Sequence, residues 1–293
     1  MVSIRPLSQA EAQAYAPLTF PAYRAALARP TDRPAAYVGA MDEGEPIAFA
    51  FAIGGAPDGG FELVSLYVSP LHRRHGLGGA MLAAIEGALG HWHRYGAHFL
   101  TVREDDLGPA QFLLKHGWRQ GAVRQVVCRM SIEAAHRIPW RRLGRARTGD
   151  TILAWDDVPA GPRARLKVAL ENGAMALHDT VHPFQYEGPH DKATSVALLR
   201  GDDLVGWVIT HPLDDDTLRW TCSYVLPGLQ TAGRVIPLWW SVVERQTAAA
   251  RHAGFIWTVP MDLPRMAAFA RERLRPHADW LGYACTFVKD FAR

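Results

Sequence analysis

A chain of 293 residues, 48% hydrophobic and 21% charged, holds more apolar material than one ordinary core uses, because single cores rarely outgrow about 250 residues. Its net charge of +3 is carried almost wholly by arginine, with only four lysines, and does not mark a nucleic-acid binder. The three scattered cysteines form neither a disulfide framework nor a paired metal motif, and no apolar run approaches the ~18 residues of a membrane span.

With no apolar signal core at the N-terminus either, a cytoplasmic protein with reduced core cysteines is the expectation. In chain order, residues 2–6 predict a short strand, and 9–28 a helical region broken by Pro17 and Pro21. Residues 35–41 and 47–54 predict a hairpin across 42–46, and 61–68 the next strand. A helix follows to about residue 95, with Leu82, Ile85, Leu89 and Trp92 at helical spacing on one face. Then come a strand over 98–103, a helix over 109–116 stopped by Gly117, and a strand pair through 118–132.

The turn between the 61–68 strand and that helix is the most informative segment. Arg73-x-x-Gly76-x-Gly78 brings several backbone N–H groups together at a helix N-terminus, where a diphosphate is favoured. Gly76 and Gly78 suit close backbone approach and angles closed to bulkier residues, and Arg73 and Arg74 add positive charge. No Lys-Ser/Thr pair ends the turn, and the third glycine of a dinucleotide loop is missing.

Together with the Tyr67-Val68-x-Pro70 lead-in, this pattern resembles the acyl-coenzyme A loop of the GNAT N-acetyltransferase superfamily, and the element order of residues 1–132 agrees. The resemblance implies that backbone groups of Leu66 and Val68 pair with the pantetheine arm. It places the diphosphate on Arg73, Arg74, Gly76, Leu77, Gly78 and Gly79. It also offers Glu62 as a general base, in line with the glutamate of the histone acetyltransferase branch. Leu113 stands where the family commonly has an acidic tyrosine. Tyr67 is then a substitute acid, with His75 and His116 as further ones.

Residues 133–149, with five arginines around Pro139, are expected to be a basic linker. Beyond them the first half repeats in outline. A strand over 217–226 ends Tyr224-Val225-Leu226-Pro227, Gln230-x-x-Gly233-x-Val235 takes the loop position, and a helix through Trp239, Val242 and Val243 follows. Val235 would crowd a diphosphate, and Arg219 stands where the glutamate would be, so this copy is expected to be a non-catalytic partner that shapes the acceptor site or an interface, with retained cofactor binding without catalysis as the alternative. His178 and His182 are spaced for one helix face, with His190 nearby, but no metal set is expected. Trp207, Trp220, Trp239 and Trp240 are expected in the core of this half.

The fold expected is α/β: two tandem GNAT-like domains, 1–132 and 150–293, each a mixed, mostly antiparallel sheet with flanking helices. The function implied is acyl transfer from acetyl-coenzyme A to the amine of a small-molecule or amino-acid-like acceptor, without metal, nucleic acid or membrane. A homodimer stays open. The alternatives are an acyl-coenzyme A sensor without turnover, and acylation of a protein N-terminus or lysine.

Overall fold

The computed structural model describes residues 2–28, 33–55, 59–90, 93–230 and 233–291. The chain divides into two compact units: Met1–Val102, Asp106–Val123 and Ala284–Arg293 form the first, Arg103–Asp105 and Arg124–Tyr283 the second.

The first unit opens with β1 (Ser3–Leu7), α1 (Gln9–Ala12) and α2 (Pro21–Leu27). Ser8 caps α1 in a box with Glu11, whose carboxyl is held at about 2 by the Ser8 N–H and the Arg5 guanidinium. Pro17 keeps the chain between α1 and α2 in a 3₁₀ turn. β2 (Ala35–Asp42) and β3 (Glu45–Gly54) form the predicted hairpin, with both turn residues, Glu43 and Gly44, at positive φ. β4 (Phe61–Val68), α3 (Leu77–Gly90), β5 (Tyr95–Arg103), α4 (Gly108–Lys115) and β6 (Arg119–Ser131) follow. The α3 face packs Met81, Leu82, Ile85 and Leu89 on the sheet; Trp92, expected on that face, lies outside the described residues.

β6 corrects the sequence reading. A strand pair was expected through 118–132, but Arg119–Ser131 is one uninterrupted strand. Its residues 125–131 pair antiparallel with β11 (Gly254–Pro260), inside the second unit. The first unit's sheet, β1-β2-β3-β4-β5-β12, is completed instead by β12 (Trp280–Asp290). There Phe287 is fully buried, Phe291 stacks on Phe61 with centroids 5.5 Å apart, and Lys289 Nζ reaches Glu86 at 2.7 Å and the His116 carbonyl at 2.9 Å. The expected domains of 1–132 and 150–293 therefore give way to units that exchange their last strands.

The second unit contains α5 (Ile132–His136), β7 (Asp150–Ala154), α6 (Ala160–Glu171), β8 (Val196–Arg200), β9 (Asp203–Pro212) and β10 (Thr217–Val225). α7 (Pro227–Gln230), α8 (Val235–Ala249), β11 and α9 (Pro264–Phe269) follow, and its strand order is β6-β11-β10-β9-β8-β7. The segment 133–149 is not a bare linker, because Ala134, Ala135 and Ile138 are buried in this unit's core. Residues 179–186 form two short 3₁₀ turns, so His178 and His182 share no helix face; His178 bonds Thr180 and Asp262, whereas His190 lies against Asp156. Trp207, Trp220 and Trp239 are core residues, and Trp240 is half-buried with its indole N–H on Glu244. All three cysteines are buried, and burial pushes the thiols of Cys128 and Cys222 up to about 12. Among the described residues no helix is long and apolar enough to cross a membrane.

Candidate active site

The site begins with a strand pair that fails to continue. β4 and β5 run parallel, yet they pair only at Phe61↔Gly96 and Glu62↔Ala97. The cause is visible on the other edge of β4. Its register with β3 passes from Ala52↔Leu63 to Phe51↔Ser65, leaving Val64 as an extra residue. Such a bulge bends its strand and raises the local twist, which turns β4 away from β5. It also resets the alternation. Phe61 and Leu63 pack on the α3 side, and so do Leu66 and Val68, which would otherwise face oppositely. Glu62 and Tyr67 consequently share the other face.

One rung past the last pair, a side chain takes over from the backbone. His98 Nδ1 lies 2.6 Å from the Leu63 carbonyl oxygen. A carbonyl can only accept, so Nδ1 carries the proton and Nε2 keeps a lone pair. Burial lowers the pKa of His98, opposed by the bond to Leu63, and favours the neutral ring. The sequence reading missed this residue as a functional candidate.

Beyond Val68 the chain makes a 3₁₀ turn over Pro70–His72, then passes through positive φ at Arg74 (67°) and Gly76 (81°) before α3 starts at Leu77. Ala80 N–H bonds the Gly76 carbonyl at 3.1 Å, so the amides of Leu77, Gly78 and Gly79 lie ahead of the helical ladder, where the dipole is positive. Arg74 and His75 are exposed. Arg73 braces the turn: its Nε donates to the Val68 carbonyl at 2.8 Å, and its guanidinium covers the Tyr67 ring at 5.7 Å. One lone pair of Val68 is thus taken by the loop itself.

Of the two glycines expected to matter, the structure requires Gly76 but not Gly78, and adds Gly79. Gly78 is helical, and a Cβ there would make ordinary contact with Phe112 at 3.4 Å. Gly76 needs its positive φ, and at Gly79 a Cβ would come within 2.7 Å of the His116 ring. Gly76→Val is therefore expected to strain the turn, lower the melting temperature by a few degrees and weaken coenzyme A binding about tenfold or more, read by calorimetry. Leu113 is buried among core residues and offers no acid. Glu62 is half-buried; with burial, its charge raises the pKa of Tyr23, on α2.

The second unit reproduces this geometry with different chemistry. β10 carries the same bulge, at Thr221, and pairs parallel with β11 only from Thr217↔Gly254 to Trp220↔Trp257. Gln230 Nε2 bonds the Val225 carbonyl at 3.0 Å, as Arg73 bonds Val68. At the helix start, however, Arg234 is ion-paired to Asp150, which also binds Arg200 at 3.1 Å. Val235 is the first residue of α8 and lines a cavity of about 840 Å³ with Arg219.

Comparison with known proteins agrees with this construction. Residues 3–118 match the family model described as Acetyltransferase (GNAT) family. No curated protein matches the sequence. Among solved structures, a tandem GNAT protein from the clavulanic acid biosynthesis pathway aligns with a TM-score of 0.62 at 12% identity, covering 100% of this chain and 99% of that one. A GCN5-related N-acetyltransferase from Sphaerobacter thermophilus aligns with a TM-score of 0.57 at 16% identity, over 100% and 96% of the two chains. Residues 3–118 thus resemble the GNAT acetyltransferase family, and the chain shares the fold of a tandem GNAT protein from end to end.

Proposed function

We propose that the N-terminal unit transfers an acyl group, most simply acetyl, from acyl-coenzyme A to the amine of a small-molecule or amino-acid-like acceptor. The observation that carries this reading is the gap between β4 and β5, which opens after two rungs and leads to the turn at the head of α3, where Arg73 and Arg74 have no acid partner among the described residues. Past the Leu63 carbonyl, which His98 takes, the gap leaves β4 unpaired with β5, and Leu66 would there meet an extended arm. Arg73, Arg74, Gly76, Leu77, Gly78 and Gly79 would hold the diphosphate. The thioester, when bound, supplies an activated acyl group.

The chain's own task is then to position the amine and take its proton. Two acceptors stand where the strands part: His98, one rung past the last pair with Nε2 as its lone-pair nitrogen, and Glu62 on that last pair. A positioned base contributes about 10²–10⁴-fold. No acid is needed for departure of a thiol whose ordinary pKa is about 8.5.

Free thiol released from acetyl-coenzyme A over a panel of amines tests the reading. Turnover with at least one amine is expected, and Glu62→Gln should slow it while sparing cofactor affinity; an unchanged rate would remove Glu62 from the reaction. The buried Leu113 favours a second reading, an acyl-coenzyme A sensor. Saturable binding with no thiol release from any amine would support that one.

A further inference from the structure

The cavity of the C-terminal unit has no part in the reaction proposed above, and its chemistry differs from that of the N-terminal gap. At about 840 Å³ it falls in the ~300–1,000 Å³ range of small-molecule sites. Its apolar wall is formed by Trp257, Val259, Met266 and Phe269, of which Trp257 and Val259 are buried. Two exposed arginines line it, Arg219 on β10 and Arg265 on α9, and neither has an acid partner among the described residues. Among the described residues no aspartate or glutamate lines the cavity. Unpaired guanidinium groups beside an apolar wall complement an anionic head on an apolar body.

A coenzyme A diphosphate fits the same space poorly. Arg234 is committed to Asp150, and the branched Val235 occupies the helix start. The remaining cations are Arg219 on β10 and Arg265 on α9, suited to a single anionic group and not to a nucleotide tail.

We propose that this cavity binds an amphipathic monocarboxylate, its head met by Arg219 and Arg265 and its body laid against Trp257, Val259, Met266 and Phe269. The site is independent of the N-terminal reaction and survives if that reading fails.

Calorimetry on the full chain with decanoate, below its micelle-forming concentration, and with decanol as the uncharged isostere tests the proposal. One decanoate per chain is expected, with decanol at least about tenfold weaker. The double variant Arg219→Gln/Arg265→Gln should lose about tenfold in decanoate affinity and nothing for decanol. Both arginines are exposed, so its melting temperature should match the parent's and serve as the folding control. Absence of decanoate binding, equal affinity for decanoate and decanol, undiminished affinity in the double variant, or one-for-one displacement of decanoate by coenzyme A would each overturn the assignment.

Discussion

A chain cut after Tyr283 is expected to lose coenzyme A binding and the cooperative melt of the N-terminal unit, although the loop at Arg73–Gly79 is untouched. The last residues supply one strand of that unit's sheet, and with it Phe287, which is fully buried beside Phe61, Leu63 and Trp118. Phe287→Ala alone should cost about 3–5 kcal/mol, a large share of the ~5–15 kcal/mol that stabilises an ordinary domain. The cut also removes Lys289, the cation paired with Glu86, whose other oxygen accepts the Trp118 indole N–H at 2.8 Å. A half-buried carboxylate without its ammonium group adds to the loss. Thermal melts by circular dichroism, with acetyl-coenzyme A titrations, check this. Native affinity in the shortened chain would show that the first unit does not depend on the exchanged strand.

The largest effect on turnover is expected at His98. His98→Ala should lower kcat by about a hundredfold at neutral pH while leaving acetyl-coenzyme A affinity unchanged. His98→Gln separates chemistry from support: its amide can still donate to the Leu63 carbonyl, so stability should hold while activity stays low. The pH profile carries the same claim. Burial lowers the pKa of His98, so the neutral, proton-accepting ring persists as the medium is acidified past the ordinary value of about 6.5. The acid limb of kcat/KM should accordingly have its midpoint below that value. Wild-type turnover in His98→Gln would take the imidazole out of the mechanism and leave Glu62.

Much of the site could be seen in the sequence because its signals are local. Gly76 marks a left-handed turn, the apolar spacing after it marks α3, and the Tyr-Val-x-Pro lead-in places the turn at the end of a strand. The features that escaped depend on residues distant in the chain. Val64 becomes a bulge only through its pairing with β3, and nothing in the apolar run from Phe61 to Val68 singles it out. His98 gains its tautomer from a carbonyl on another strand. Arg74 adopts a conformation that glycine usually takes, so composition pointed to Gly78 instead. The exchange of final strands is the clearest case. Alternation in 119–131 and 280–290 identifies each as extended, but a two-residue period does not name the neighbour. The cavity lined by Arg219 and Arg265 likewise arises from segments far apart in sequence, and was legible only as a substitution of arginine for glutamate.

The position of β12 also sets an order of events during synthesis. While the ribosome is still translating the C-terminal half, the emerging first unit has an open edge along β5, where unpaired amides invite the wrong partner. That edge closes only once β12 has been made and has left the exit tunnel. A product terminated before β12 would therefore carry the Arg73–Gly79 turn without the complete sheet that supports it.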